Sequence, residues 1–407
     1  MTYSAISKKV NFLQSLHPEN YQKFLDIEPL EPFSKSIIDY LSLISKEIFK
    51  NKSAKKYSDL LSFAFFCREA NLNLLEKQFK GHKISRLGKG IIFHITPSNV
   101  PMNFAYSLVA GLLAGNSNLL KLPSKEFDQI NIFISIIKKL SKEPNLSDVS
   151  KRVAFVKYDI IHKEITDRFS LDCDIRVIWG GDKSIRAIRK SNLNFHGTEI
   201  IFPDKYSFCV IHANTFLKDI NKDVLIKNFY NDTYLFDQNA CTSPHLIIWI
   251  GKEKKIENAK SIFWDKLHAL VKNKYDLNAF SVFHKLTTFC DHSSKKKGIF
   301  LIPPKDNLIW RVKIEALDKS IENHRSNSGY FLEYDSLSLN EISNFTTKKF
   351  QTMSYYGFQL KELKSLVQTI RPKGIDRIVP VGRTMDFSLY WDGKDLINSF
   401  SRIIDIN

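Results

Sequence analysis

The order of elements legible in the sequence predicts an α/β protein built on a doubly wound parallel sheet. Three observations carry this. Short apolar runs of strand length alternate with helical stretches from about residue 88 onward. The run Ile91-Ile92-Phe93-His94-Ile95, a loop, a helix and a strand at 118–122 together have the length of a βαβ unit. Glycine punctuates the strand ends, as where Ile175-Arg176-Val177-Ile178-Trp179 closes on Gly180-Gly181.

The first eighty or so residues read as helices. Ser58-Asp59 resembles an N-cap, followed by Leu60, Leu61, Phe63, Phe66, Leu72 and Leu75 on overlapping faces, with Gly81 as a stop. Strand 91–95 is broken by Thr96-Pro97-Ser98-Asn99-Val100-Pro101, and a small-residue helix over 103–114 stops at Gly115-Asn116. Helix 127–140, strand 153–156, helix 161–169, strand 175–179 and helix 183–189 follow, then strands 200–202 and 207–211. A second α/β region, about 215–370, holds helix 219–230, strand 245–250 and helix 256–271. The lysine-rich stretches 252–255 and 295–298 read as surface turns, and the tail from Gly374 alternates turns with short strands.

The chain has 407 residues, enough for two or three domains, and is 43% hydrophobic and 25% charged, which excludes a wholly disordered chain. A formal net charge of +17 points to an anionic partner: nucleic acid, a membrane surface or a phosphorylated ligand. Lysine far outnumbers arginine, and asparagine, isoleucine and phenylalanine are abundant, so part of that charge reads as coding bias. The five cysteines are scattered without a CxxC pair, so neither a metal site nor a dithiol redox site is expected. The opening MTYSAISKKVNFLQSL lacks the apolar core of a secretory signal, and no apolar run reaches the ~18 residues of a spanning helix. A cytoplasmic, thiol-reduced protein is expected.

Walker A, HExxH, GxSxG and GxGxxG motifs are missing. Three segments stand out together. The first is Ile95-Thr96-Pro97-Ser98-Asn99-Val100-Pro101 with Ala114-Gly115-Asn116 and Lys121-Leu122-Pro123-Ser124-Lys125 after it. The second is Val177-Ile178-Trp179-Gly180-Gly181-Asp182, and the third Asp237-Gln238-Asn239-Ala240-Cys241-Thr242-Ser243-Pro244. Their order and spacing resemble the aldehyde dehydrogenase superfamily. The nearer resemblance, carried by Gly374-Ile375-Asp376-Arg377-Ile378-Val379-Pro380-Val381-Gly382-Arg383 and Trp391-Asp392-Gly393, is to its LuxC-type acyl-CoA reductases, the fatty-acid reductase branch.

The resemblance implies an aldehyde dehydrogenase-like fold. Helices over 1–80 would pack on a Rossmann-like cofactor domain over 81–212. A catalytic domain over 213–372 would carry Cys241, and 373–407 would complete the cofactor domain or bridge domains, with the active site where they meet. It also implies a nicotinamide cofactor, NADPH with NADH as the alternative, and CoA as released product.

Cys241 is the candidate nucleophile, because a thiolate exchanges with a thioester at similar energy. The alternative is a packed cysteine; the other four read as structural. Asn99 resembles the oxyanion donor, which would act with the Cys241 N–H, and its local alternative is an Asx turn. Lys121 resembles the lysine on the cofactor ribose, and otherwise is a solvated strand-end lysine. Ser124 and Lys125 stand where the superfamily has an acidic residue, with Glu126 as a displaced carboxylate. Lys125 would attract a 2′-phosphate. Gly180 and Gly181 resemble a cofactor-side turn, or form a plain strand-to-helix turn.

The water-activating glutamate of hydrolytic relatives aligns with Ile201, with Glu199 nearby, which argues for acyl reduction over aldehyde oxidation. His245 reads as a packed histidine rather than a partner of Cys241, and the cluster His196-Gly197-Thr198-Glu199 as a solvated loop. Arg377, Arg383 and Asp392 read as structural ion pairs of the tail, with substrate or domain contacts as the alternative.

The expected function is NADPH-dependent reduction of an acyl-CoA, or of an acyl group from an acyl-protein synthetase, to the aldehyde through an acyl-cysteine. A homo-oligomer or multienzyme complex is compatible with it, and no metal is called for. Two other classes stay open: a non-redox cysteine acyltransferase or thioesterase, and a basic nucleic-acid-binding protein. The last is disfavoured because lysines spread along the whole chain.

Overall fold

The computed structural model describes residues 9–13, 20–79, 85–97 and 100–406. They form two compact units. One runs to Pro203 and resumes at Phe387; the other spans Asp204–Asp386.

The first unit is built on the parallel strands β3 (Ile91–Ile95), β4 (Ser117–Lys121), β5 (Val153–Lys157), β6 (Ile175–Trp179) and β7 (Thr198–Phe202). A short strand, β1 (Asn11–Phe12), adds antiparallel to β5, giving the order β1-β5-β4-β3-β6-β7. All five residues of β3 and of β6 are buried, which is why they read as unbroken apolar runs. Helices α1 (Lys35–Lys50), α2 (Ser58–Phe66) and α3 (Glu69–Phe79) precede the sheet. The crossovers are α4 (Asn103–Leu113), α5 (Asp128–Leu140), α6 (Lys163–Asp172) and α7 (Asp182–Ile188). Ile37, Leu41 and Ile44 of α1 share one core with Phe63, Phe104 and Phe133. Phe133 meets Phe63 and Phe104 edge-on.

From β3 the chain builds outward to β4 and β5, then crosses back to place β6 beside β3. That reversal is a switch point. In open α/β sheets, ligands bind beyond the carboxyl ends of such strands, here Thr96-Pro97 and Gly180-Gly181.

The Ala-Gly-Asn turn after α4 has a packing reason. Gly115 has φ +87°, and a Cβ there would lie 2.0 Å from the Leu30 carbonyl oxygen. The Asn116 side chain accepts from Gly90 N–H (3.0 Å) and donates to the carbonyls of Gly111 (3.2 Å) and Phe400 (3.0 Å). It thereby ties β3, α4 and the C-terminal segment together.

The second unit carries β8 (Tyr206–His212), β9 (Pro244–Ile250), β10 (Ile299–Ile302), β11 (Trp310–Ile314), β12 (Tyr330–Ser336), β13 (Phe350–Tyr356) and β14 (Arg377–Pro380). Their order is β10-β11-β12-β9-β8-β13-β14, parallel except for β10. Helices α8 (Lys222–Thr233), α9 (Glu253–Lys274), α10 (Ala279–Lys295) and α11 (Leu360–Ile370) connect them.

The strand at 206–212, expected to end the first domain, hydrogen-bonds with β9 and β13, so the compact units divide at 203/204. The tail also divides. Residues up to 386 stay with the second unit, whereas β15 (Tyr390–Trp391), β16 (Lys394–Asp395), α12 (Leu396–Phe400) and β17 (Ser401–Ile404) return to the first. There β17 pairs with β2 (Ser85–Gly88).

Three local expectations change. Helix α2 begins at Ser58 with no side-chain cap. Lys254 and Lys255 lie in the first turn of α9 rather than in a loop. The helix expected over 219–230 starts at Lys222, because a separate short helix ends at Lys218. Gly81 lies outside the described residues. Among those residues no helix is long and apolar enough to cross a membrane.

Candidate active site

Cys241 stands in the turn that feeds β9, and its approach is unusually constrained. Asp237 (φ 50°) and Gln238 (φ 59°) are consecutive left-handed residues, a costly conformation for side chains with a Cβ. The Gln238 side chain holds it. Its Nε2 donates to the carbonyls of Pro244 (3.0 Å) and Tyr330 (3.2 Å), and its Oε1 accepts from Gly329 N–H (2.8 Å) and Tyr330 N–H (3.1 Å). The Asp237 carbonyl accepts from Ser328 N–H at 2.9 Å, and its carboxylate accepts from Tyr275 OH at 2.5 Å.

The Cys241 carbonyl is fixed in turn. Ser207 Oγ of β8 donates to it at 2.6 Å and accepts from Thr352 N–H of β13 at 3.2 Å. Thr352 is in register with Arg377 of β14. Cys241 therefore sits at the amino ends of four adjacent parallel strands, β9, β8, β13 and β14.

The five cysteines separate by exposure. Cys67, Cys173 and Cys209 are buried, and burial pushes their thiols up. Cys241 is half-buried, whereas Cys290, read as structural with the other three, is exposed.

Arg377, expected to ion-pair within the tail, bonds backbone carbonyls of that segment. Its guanidinium donates to the carbonyls of Thr384 (2.9 Å), Arg383 (3.0 Å) and Asp386 (2.6 Å). Thr242 Oγ1 donates to Met385 Sδ at 3.5 Å, which brings the cysteine turn onto that same loop. Beneath it, the buried Asp232 carboxylate accepts from Gly382 N–H (2.6 Å) and Thr384 N–H (3.2 Å), and burial pushes its carboxyl up to about 6. Arg383 pairs with Asp386.

His245 is a packed residue. It is buried, its Nδ1 lies 2.9 Å from the Ser326 carbonyl, and burial followed by the Arg325 charge holds it down at about 3. Glu199 is engaged as well, pairing with Arg176 at 2.5 Å and Arg189 at 2.9 Å. His196 lies in an exposed turn, its N–H bonded to Asn194 Oδ1.

The residues expected to meet a cofactor are in the first unit, at the carboxyl edge of its sheet. Lys121 ends β4. Its ammonium lies 4.2 Å over the Tyr158 ring, and burial lowers its pKa against a rise from Asp159. It is therefore not a solvated strand-end lysine. Ser124, Lys125 and Glu126 are exposed on the following turn, with Lys125 Nζ 5.0 Å over the Phe127 ring. The Glu126 carboxylate accepts from Lys157 at 2.6 Å. Gly180 accepts no strain: its N–H bonds the Phe202 carbonyl at 3.2 Å. Gly181 caps α7 at φ −72°, and a Cβ there would meet nothing within 4 Å. Room, not backbone freedom, is what glycine gives at Gly181. Asn99 lies outside the described residues.

Sequence reasoning missed several neighbours. Tyr158 and Asp159 flank Lys121 from the end of the adjacent strand, and Trp179 stacks on Phe202 with ring centroids 3.8 Å apart. Only strand order brings these pairs together. Ser207 and Thr352 are short polar residues within strand runs, and nothing in the local sequence marks them.

A family model described as acyl-CoA reductase (LuxC) matches residues 11–276. The chain belongs to the LuxC acyl-CoA reductase family. Among curated relatives, the long-chain acyl-protein thioester reductase of Aliivibrio fischeri is 23% identical over 316 residues, covering 73% of this chain and 61% of that protein. The enzyme of the same name from Vibrio harveyi is 23% identical over 300 residues, covering 72% and 59%. This LuxC-family chain thus spans less than two thirds of the length of these two relatives.

Solved structures give the fold. A lactaldehyde dehydrogenase superposes with a TM-score of 0.63 at 11% identity, covering 95% of this chain and 88% of that one. The 1-pyrroline-5-carboxylate dehydrogenase of Thermus thermophilus gives 0.63 at 10% identity, covering 94% and 83%. The LuxC-family chain therefore has the aldehyde dehydrogenase fold, with its Rossmann-like parallel sheets.

Proposed function

We propose that this protein reduces a fatty acyl thioester to the aldehyde through an acyl group carried on Cys241. The observation that carries the reading is the combination of family membership with a half-exposed cysteine whose turn is fixed on both sides. Gln238 fixes its approach and Ser207 its carbonyl.

In the proposed reaction the Cys241 thiolate attacks the thioester carbonyl. A carbon–sulfur bond to Cys241 forms, the bond to the donor sulfur breaks, and the donor thiolate takes a proton from solvent. The Cys241 N–H and the Asn99 side chain would hold the oxyanion. A bound reduced nicotinamide supplies the hydride that turns the acyl-cysteine into a thiohemiacetal. Collapse of that adduct releases aldehyde and restores the Cys241 thiolate. The donor is acyl-CoA, as the family's description words it, or an acyl group on a protein, as the two relatives' names state for themselves.

Lys121, Ser124, Lys125, Gly180 and Gly181 would hold the dinucleotide. Their fit rests on the partly buried ammonium of Lys121 and the open space over Gly181. NADPH is favoured over NADH because Lys125 is exposed beside a carboxylate, Glu126, that Lys157 already engages. A glutamate free to activate water is not supplied by Glu199, whose carboxylate joins two arginines. That supports reduction over hydrolysis. A cytoplasmic setting fits a reductant of this kind.

The test is to incubate the protein with palmitoyl-CoA in the absence of nicotinamide and map the acyl group by mass spectrometry. A palmitoyl mass on the Cys241 peptide, removed by NADPH with release of hexadecanal, supports the proposal. Acylation that NADPH leaves in place would favour the non-redox acyltransferase.

A further inference from the structure

We propose that the outward face of α10 (Ala279–Lys295) is the surface through which two copies of this chain associate, the two helices packing antiparallel. The proposal goes beyond the reading of Cys241 and does not depend on it.

The inward side of this helix is polar. Ser281, Lys285 and His292 are buried. The Lys285 ammonium donates to the carbonyls of Asn307 and Ser328, the latter at 2.9 Å. Ser281 Oγ lies 3.2 Å from Ser328 Oγ, and His292 Nδ1 lies 3.1 Å from Tyr330 OH. These bonds fix the rotation of the helix, because turning it would strip partners from buried polar groups. Its outward side is apolar, where solvent normally selects charge. Phe280, Phe283 and Leu286 are 75%, 64% and 48% exposed, and Cys290 is exposed too. With the exposed Thr287 and Ser293 they form a stripe that carries no charge.

The stripe specifies its own partner. Residues 283, 286, 290 and 293 recur at the alternating three- and four-residue spacing of a helix–helix seam. Its bulky members, Phe283 and Leu286, lie in the N-terminal half, and its small ones, Cys290 and Ser293, in the C-terminal half. Antiparallel pairing about a two-fold axis near residue 288 sets Phe283 on Ser293 of the partner copy and Leu286 on Cys290 of the partner copy, and the reverse by symmetry. Parallel pairing would set bulky on bulky and leave small opposite small. Charge agrees with this. Asp276, just before the helix, and Lys297, just after it, are both exposed, and antiparallel pairing brings them together once at each end. Asp291 and Lys295 already pair with each other at 2.7 Å. A bilayer would call for basic residues along the flanks of the stripe, where the exposed Thr287 and Ser294 stand instead. At these exposures the three large side chains of two copies hide roughly 700 Å² from water. The small residues beneath them bring the contact to about 1,000 Å², the lower bound of a specific interface. The association is therefore weak, with a dissociation constant of roughly 1–100 μM.

Sedimentation equilibrium of the full chain from about 1 to about 200 μM tests this. Wild type should pass from monomer to dimer over that range. Phe283→Glu, at an exposed position, should keep the fold and raise the dissociation constant at least about tenfold. Asp276→Lys should weaken the dimer, and adding Lys297→Asp should restore it, a rescue that mere damage to the helix would not show. Leu286→Cys places a sulfur against Cys290 of the partner copy. Mild oxidation should then give a covalent dimer whose cross-link joins position 286 of one copy to 290 of the other, as mass spectrometry of mixed isotope-labelled and unlabelled protein would show. A wild type that stays monomeric at the highest concentration, or a dimer that Phe283→Glu leaves unchanged, would overturn the proposal. So would a monomer that binds phosphatidylglycerol vesicles through Phe283, since the face would then belong to a bilayer. Should Phe283→Glu fail to fold, the cross-link decides, and its absence overturns the proposal.

Discussion

Gln238 pairs with Tyr330 as though its side chain were a neighbouring strand. Oε1 accepts the Tyr330 N–H at 3.1 Å and Nε2 donates to the Tyr330 carbonyl at 3.2 Å. The two partners are each almost wholly buried, so water does not replace these bonds when they are lost. The amide thus ties the cysteine turn to the start of β12 and offsets the cost of two left-handed residues.

Gln238→Ala should destabilise the protein by about 3 kcal/mol or more, because the N–H groups of Gly329 and Tyr330 lose their acceptor inside the fold. Urea denaturation would measure it. Gln238→Glu keeps the acceptor but places a carboxylate against two carbonyls, and should be at least as damaging. Both variants should also slow alkylation of Cys241.

Acid should destabilise the first unit through His94. Its Nε2 lies 2.9 Å from Asn118 Oδ1 and its Nδ1 2.7 Å from Ser107 Oγ, where Trp179 Nε1 also donates at 3.0 Å. Burial lowers its pKa from the ordinary imidazole value near 6.5 to about 4. The unfolded chain then binds a proton below pH 6.5 that the folded chain refuses until about pH 4. The stabilisation is fully present above pH 6.5 and is lost as pH falls towards 4, by roughly 2–3 kcal/mol between pH 7 and 4.5. Comparing urea midpoints at those two pH values checks it, and His94→Asn should flatten the slope. His245, held down at about 3 in the second unit, adds a similar dependence there.

Much of the fold was legible because parallel strands buried on both faces leave unbroken apolar runs, as at 91–95 and 175–179. The second unit was legible only up to α9. Strand β10 is an apolar run of only four residues, Ile299-Phe300-Leu301-Ile302, and β11 breaks its apolar positions with Arg311 and Lys313. β12 and β13 mix tyrosine, serine, threonine and glutamate with apolar residues, since Glu333 is buried against Arg311, Trp249 and Trp264.

The cysteine turn was legible as a motif, whereas its supports were not. Ser207 is 34 residues away in the chain, and Thr352 donates to it across 145. Arg377 was visible as part of a recognisable segment. Its clamp of carbonyls depends on how residues 383–386 curl back, which spacing does not encode.

Cofactor preference should respond to Lys125. Its ammonium is exposed over Phe127, and the adjoining Glu126 is engaged by Lys157. Lys125→Glu should lower the NADPH-to-NADH ratio of kcat/KM by tenfold or more, since a cation that favours a 2′-phosphate becomes an anion that repels it. An unchanged ratio would remove Lys125 from the site.

The most direct measurement mixes the purified protein with NADPH and palmitoyl-CoA and follows NADPH loss together with hexadecanal formation. Wild type should consume one NADPH for each aldehyde released, and Cys241→Ala, folded by circular dichroism, should release none. Equal aldehyde formation by the two proteins, or palmitate as the product in place of aldehyde, would contradict reduction through an acyl-cysteine at position 241.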